Sequence, residues 1–559
     1  MKKGTKIILL FFLTINYSIL LDSPPFRNVV YYSEWSIYNK YYPSMMNPKL
    51  ISHVNFAFLD MDSNGDLKLA DEYADFEIAT LPELEGLSYG SPYAGVLGAF
   101  AILKIKNPHI KIGISVGGWS KSANFHEVAK DKAKRQNFAK NISKFIDYLG
   151  FDFVDIDWEH PTITRSGCPG GPEDTENFTL LMQELRNELD KLQKKNGKYY
   201  ELSIAMSAEL EMLPTIQYDK VLKYVDFVNM MTYDLNGSWS SYTAHHTPLY
   251  TNKAYNEKTM NGAKNSADAC VKYFEETYGD SIDMKKILIG VAAYTRGWGK
   301  VKDDGLDKNN PGLYATAAKN SVIGLDGSTE GIYPFGEIED IIKEYDLVEY
   351  FDNTAKAAYY YSPNKGYFFT CDNEKSITAK GKYVREKGLG GLIMWMASQD
   401  NENKLKKAMF NSLYGEDYIL PEQELIYSIP NVNAKISTSD IGYEITVINK
   451  EEIIETNTAL KDAELLQKSI LYFKLYIRTK SGVVFSVGSG SGTVTNKNKI
   501  GIIDPSSNSD AKKIAPGGSY KLSVRISGTP DISDIISITM TQRITPILDE
   551  FKEQVIYKS

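Results

Sequence analysis

Phe151 to Pro161 read Phe-Asp-Phe-Val-Asp-Ile-Asp-Trp-Glu-His-Pro, and the alternation inside this stretch decides the fold. In an extended strand successive side chains point to opposite faces, so Asp155, Asp157 and Glu159 share one face while Val154, Ile156 and Trp158 share the other. Acids at this spacing stand about 6–7 Å apart and repel one another. Such carboxylates cannot all ionise together, so their pKa values are pushed apart and one member keeps its proton near neutral pH. A carboxyl that keeps its proton is a general acid. Alternating acids also occur on solvated sheet edges and at divalent-cation sites. Here the opposite face is apolar and a helical pattern follows, as in a buried parallel strand covered by helices. The stretch is therefore read as catalytic, with no metal.

Outward from it, short β-rich runs alternate with helical patterns over residues 28–415, the habit of a parallel α/β fold. The runs read as strands are Asn28 to Tyr32, His53 to Leu59, Ile110 to Val116, Phe153 to Asp157, Glu201 to Met206, Phe227 to Tyr233, Lys286 to Ala293 and Gly391 to Trp395. Eight such strands predict a (β/α)8 barrel. Phe138, Ile142, Phe145 and Leu149 recur at helical spacing before Gly150, as do Phe178, Leu181, Leu185, Leu189 and Leu192. They are read as helices packed on the barrel. In such barrels the active face is the C-terminal end of the strands, and Trp119, Glu159, Tyr233, Arg296 and Trp395 all fall at or just past strand ends. Five segments thus converge on one mouth.

Residues 300–385, between the seventh and eighth strands, are too many for a simple crossover. Ala357 to Tyr361 and Gly366 to Thr370 look like antiparallel strands. After Gly415 the pattern changes to alternating strands without intervening helices: Tyr443 to Ile448, Ile470 to Arg478, Tyr520 to Ile526 and Ile536 to Met540. With the Gly/Ser cluster at 488–492, this predicts a C-terminal all-β sandwich over 417–559. No sugar-binding signature stands out in it, so a carbohydrate-binding module, an assembly module with its own partner and a spacer all remain open. Because its pattern begins after the barrel's last helix, residues 1–416 are expected to fold without it.

A chain of 559 residues with 43% hydrophobic content has material for two to four domains. The net charge of −8 arises from mixed signs without a basic block, which argues against nucleic acid and anionic membranes as partners. A neutral polymer fits better, and the 38 tyrosines suit sugar clefts, where flat amphipathic rings meet pyranose C–H groups. Residues 1–21 carry Lys2, Lys3 and Lys6 before the apolar run Ile7 to Ile15, the layout of a signal peptide rather than a membrane span. A secreted, extracellular protein with no stable membrane insertion is expected. Cys168, Cys270 and Cys371 imply no disulfide framework, although one long-range bridge could form. Asp60-Met61-Asp62-Ser63-Asn64-Gly65-Asp66 resembles the start of a calcium loop, but Asn64-Gly65 equally marks a hairpin turn.

The chain resembles glycoside hydrolase family 18, the chitinase family. Its signature Asp-x-x-Asp-x-Asp-x-Glu is matched by Asp152, Asp155, Asp157 and Glu159, and Ser-x-Gly-Gly-Trp by Ser115, Gly117, Gly118 and Trp119. Met231-Thr232-Tyr233-Asp234, Tyr294-Thr295-Arg296-Gly297-Trp298 and Gly390-Gly391-Leu392-Ile393-Met394-Trp395 follow in the family's order, so the resemblance covers residues 27–416. Two positions depart from it: His160 stands where an aromatic is usual and Met396 where an acid is common.

The resemblance implies a catalytic barrel over 22–416, with an α+β insertion at 300–385 forming one wall of a deep cleft. It implies hydrolysis of the β-1,4 bonds of chitin and chitooligosaccharides without a cofactor. Asp157 and Glu159 on one strand face cannot flank a sugar, so the substrate's own acetamido oxygen is left to attack C1, and a retaining, substrate-assisted route through an oxazolinium follows. By the same resemblance Glu159 is acid and then base, Asp157 orients the acetamide, Asp155 shares a proton with Asp157, and Tyr233 donates to the acetamide oxygen. Trp395 is the floor, Trp119 and Trp239 stack on leaving-side sugars, and Met231, Asp234, Tyr294 and Arg296 line the cleft. Asp152, on the other strand face, is structural. An endo-β-N-acetylglucosaminidase acting on N-glycans and a chitin-binding lectin-like protein are the alternatives.

Overall fold

In the computed structural model, eight parallel strands close a barrel: Arg27–Ser33, His53–Met61, Lys111–Gly117, Phe153–Asp157, Glu201–Ser207, Phe227–Met231, Ile287–Ala292 and Gly391–Trp395. The structure describes residues 24–559 apart from 90, 166, 258–259, 424–429, 453–456 and 549–550. The segment read as a signal peptide lies outside the described residues. The last barrel strand pairs with the first through Arg27↔Gly391 to Val30↔Met394, which completes the ring. The sixth strand stops two residues before its expected end, because the Thr232 N–H turns back to the Met230 carbonyl at 2.8 Å and Asp234 adopts a φ of 55°.

The alternation of the fourth strand is realised. Phe153 joins the barrel-interior cluster with Val29, Tyr31, Phe227 and Leu288. Val154, Ile156 and Trp158 join the outer cluster between strands and helices. That outer layer includes the helix Lys132–Leu149, with Phe138, Ile142 and Phe145 buried, and the helix Asp174–Asn196, with Phe178, Leu181, Leu185 and Leu189 buried. Both end on a glycine in the left-handed region, Gly150 at φ 70° and Gly197 at φ 72°, where an L residue would be strained.

Beyond the seventh strand, Val348–Asp352, Ala357–Ser362, Tyr367–Cys371 and Arg296–Trp298 form an antiparallel four-stranded sheet in that spatial order, with the helix Ile338–Tyr345 before it. Its apolar face holds Trp298, Tyr359, Tyr361 and Phe368 against Leu313 and Tyr314. This is the α+β insertion.

The C-terminal part has two antiparallel sheets. One orders Val432–Ser439, Gly442–Asn449, Ser519–Ile526 and Phe485–Val487; the other orders Thr493–Lys497, Ile500–Asp504, Ile470–Thr479, Ile535–Arg543 and Phe551–Lys558. Inward residues of both, among them Ile445, Val447, Leu522, Leu475 and Ile538, share one core, the packing of a sandwich. The expectation of strands without helices is corrected by the helix Thr458–Lys468, whose N-cap Asn457 accepts from the Leu460 N–H at 3.2 Å. Ala459, Leu460, Ala463 and Leu466 belong to the outer core of the barrel, as do Leu471 and Ile544. The C-terminal part therefore closes over barrel surface.

Asp62 and Asp66 form the hairpin turn. Asp62 Oδ1 accepts the Asn64 and Asp66 N–H groups, and Asp66 Oδ1 accepts Asn137 and Asn141. Cys168, Cys270 and Cys371 are buried free thiols, so the possible long-range bridge is not formed. Among the described residues no helix is long and apolar enough to cross a membrane.

Candidate active site

The acids of the fourth strand rise through the barrel as a column. Asp155 is fully buried and takes four hydrogen bonds: from Tyr31 Oη at 2.8 Å and Ser115 Oγ at 2.7 Å on Oδ2, and from Ser203 Oγ at 2.6 Å and Asn229 Nδ2 at 3.1 Å on Oδ1. Four donors fill the lone pairs of a carboxylate and favour its ionised form. Burial pushes its pKa up all the same, against the pull of these donors. One level higher, Asp157 Oδ1 is buried without a hydrogen-bond partner. Burial first, then the charges of Glu159 and Asp155, raise the Asp157 pKa well above the carboxylate range. The proton of this pair therefore rests on Asp157, and Asp155 takes its hydrogen bonds from the four donors around it.

Glu159 stands just past the strand end. Its backbone is pinned by the N–H bond to Ser122 Oγ at 2.9 Å, and Ser122 in turn donates to the Gly118 and Asp157 carbonyls. Burial raises the Glu159 pKa to about 7; Arg165 pulls it down and Asp234 pushes it up. His160 Nε2 lies 3.5 Å from Glu159 Oε2, and burial together with Arg165 lowers the imidazole to about 4. His160 is thus neutral where Glu159 titrates. A general acid is lost as pH rises through its pKa, so kcat/KM should fall above about pH 7, by about tenfold per further unit. A pH–rate profile measures this; a flat profile to pH 9 or so would exclude Glu159 as the acid.

The Ser-x-Gly-Gly-Trp run owes its glycines to close approach. Gly117 and Gly118 have φ of 109° and 77°, and a Cβ on them would meet the Asp157 carbonyl oxygen at 2.3 Å and the Phe58 ring at 2.7 Å. This brings Trp119 to the rim, where it is 63% exposed. Gly290 serves Tyr233 in the same way, since a Cβ there would meet its ring at 2.7 Å. Tyr233 is buried in the interior cluster with Tyr294, and Met231 and Trp395 pack against that cluster half-buried. Burial keeps the Tyr233 phenol protonated. Trp395 is backed by Phe58, stacked at 5.6 Å, with Tyr31 and Trp35 around it.

The opposite wall is an ionic chain. Arg296 Nε donates to Asp234 Oδ1 at 2.7 Å, Arg296 Nη1 bonds Glu330 of the insertion, and the guanidinium lies 5.2 Å from the Trp239 ring, itself 43% exposed. Although burial opposes it, contacts with His246 and Arg296 hold Asp234 below the carboxylate range. Asp152 sits apart, as expected: its oxygens pair with Lys104 at 3.0 Å and Lys198 at 2.9 Å and accept the Ile112 N–H. Among the described residues no group of three or more His, Cys, Asp or Glu side chains is placed to hold a metal.

The sequence model of Glycosyl hydrolases family 18 matches residues 27–400, which spans the barrel and every residue of this site. The chain belongs to glycoside hydrolase family 18. It is similar to Chitinase A1 of Niallia circulans, 31% identical over 76% of this chain and 63% of that one, so it spans less than two thirds of that relative's length. Among solved structures it is similar to the catalytic domain of psychrophilic chitinase B from Arthrobacter TAD20, with 27% identity, a TM-score of 0.61, and 72% of this chain and 98% of that one covered. Chitinase ChiA74 from Bacillus thuringiensis, at 21% identity and a TM-score of 0.63, shares the fold over 92% of this chain and 99% of its own.

The family signature does not mark several residues on which the site depends: Tyr31, Ser203 and Asn229 around Asp155, Ser122 under Glu159, Phe58 behind Trp395, and Glu330 beside Arg296. Each lies far from the motif it serves. For Tyr31, Ser203 and Asn229 the parity of their barrel strands was the available signal, since inward positions repeat every second residue.

Proposed function

We propose that this chain is a secreted chitinase that cleaves β-1,4 bonds between N-acetylglucosamine units by retaining, substrate-assisted hydrolysis. The observation that carries the reading is the column Asp155, Asp157, Glu159 with its proton-holding members at the top. Both acids that could act lie on one side of the bound sugar, so neither is placed as nucleophile opposite the other. Glu159 gives its proton to the glycosidic oxygen as the acetamido oxygen attacks C1. Asp157 aligns the acetamide N–H and offsets the positive oxazolinium, a charge interaction strengthened by burial. Tyr233 donates its hydroxyl to the acetamide oxygen. Water then opens the ring at C1 while the Glu159 carboxylate takes its proton. Trp395 forms the floor under the reacting sugar, and the exposed rings of Trp119 and Trp239 suit stacking on its neighbours.

Two inversions at C1 give a β product. Proton NMR of early hydrolysis should therefore show the β-anomer first, and fully deacetylated polymer should resist cleavage. An initial α-anomer, or efficient cleavage of glucosamine polymer, would overturn the mechanism. The presence of Glu159 weighs against a lectin-like role. Parallel assays on chitooligosaccharides and a high-mannose glycopeptide separate chitinase from N-glycan endoglycosidase.

A further inference from the structure

The loop 161–173, after the acid, carries one side chain that the signature leaves out. Arg165 Nε donates to the Glu159 carbonyl at 2.9 Å, its Nη2 donates to the Trp119 carbonyl, and its guanidinium lies 4.0 Å from the centroid of the Trp119 ring. One side chain thus holds the backbone of the acid, the backbone of the exposed tryptophan and the face of the indole. The loop is itself anchored. Buried Asp174 accepts the Thr162 and Gly171 N–H groups at 3.3 and 2.9 Å and contacts His126 Nδ1 at 2.9 Å. Arg165 and Cys168 exchange backbone bonds at 3.0 and 2.9 Å, and Thr164 Oγ1 bonds the Gly170 carbonyl at 2.8 Å.

An indole this exposed has few protein contacts to fix its rotamer, and each freedom left to it must be lost when a sugar stacks on it. A guanidinium suits the task. Its planar fork reaches two carbonyl oxygens while its central carbon sits over the ring, which an ammonium cannot do. We propose that Arg165 is a positioning residue that brackets Trp119 and Glu159, so that the sugar platform and the acid are held as one rigid unit before substrate arrives. The proposal rests on the chitinase reading for its kinetic consequence only.

The test uses the full chain. With Arg165→Met, KM for chitooligosaccharides that reach Trp119 should rise about tenfold while kcat falls less. Fluorine NMR of fluorotryptophan-labelled protein, with the Trp119 line assigned by Trp119→Phe, should show that line sharpen and shift toward the position of a free indole. Arg165→Lys, which keeps the charge, should recover only part of both effects. In a Trp119→Ala background, Arg165→Met should add little to KM. Unchanged KM with an unchanged Trp119 line, or complete rescue by lysine, would overturn the bracket; if Arg165→Met does not fold, the lysine variant decides. If the wild-type chain cleaves no chitooligosaccharide, the functional reading fails while the fluorine spectrum still decides the role of Arg165.

Discussion

Glu159→Gln should leave the chain folded and lower kcat by roughly 10² to 10⁴ or more on chitooligosaccharides, with a smaller effect on KM. The amide matches the carboxyl in shape and keeps the backbone bond to Ser122, so the rim of the barrel has no reason to move. On the proposed mechanism it loses the proton at the start of the reaction and the base at its end. The substitution also removes a charge neighbour of Asp157, one of the causes raising that group after burial, so its pKa should drop. Circular dichroism and thermal melting verify the fold, and initial rates measure the loss. A folded variant with turnover near wild type would remove Glu159 from the chemistry.

Truncation after residue 416 should damage the whole molecule rather than affect polymer binding alone. From composition the C-terminal part looks separable, and selective loss of activity on insoluble chitin would then be the natural result of deleting it. The packing argues otherwise. Leu460, Leu466, Leu471 and Ile544 are buried in the same cluster as Phe138, Ile142 and Phe145 of the barrel helix Lys132–Leu149. Burial of one such aliphatic side chain contributes about 1.5–3 kcal/mol, so uncovering this contact should cost the barrel about 5 kcal/mol or more, a large share of a typical domain's stability. The expected result is a truncated chain with a strongly lowered Tm or one that aggregates, inactive on short and long substrates alike. A fragment 1–416 with the Tm and oligosaccharide turnover of the full chain would return the C-terminal part to the status of an independent module.

The exposed face of the four-stranded C-terminal sheet bears on its role. On the four-stranded sheet the outward positions carry Lys435, Ser437, Glu444, Thr446, Lys521 and Arg525. Lys521 and Glu444 pair across it at 2.9 Å. Flat rings of the kind that bind sugars by stacking are absent from these positions, so this sheet face offers no platform of that kind.

Much of the fold and the centre of the site was legible because both are periodic. Residues 153–157 alternate between interior and helix layer, the helix stripes of Phe138 to Leu149 and Phe178 to Leu192 repeat at 3.6, and eight such parallel strands with helices packed outside them close into a barrel. The same alternation put Asp155, Asp157 and Glu159 on one face without any knowledge of their surroundings. The helix Thr458–Lys468 was missed because its apolar stripe is short and half alanine, and because what stabilises it is a barrel helix more than 300 residues away in sequence.

What the sequence determined by itself was which side chains face inward and which carboxylates crowd together, since these follow from local backbone geometry. Tertiary structure decided which of those carboxylates holds a proton. That depends on four donors from four other strands reaching Asp155 and none reaching Asp157 Oδ1. It also decided that Arg165 reaches Trp119 and that the C-terminal helix covers the barrel. Desolvation, partner charges and packing act through space, between residues whose separation along the chain carries no signal of their meeting.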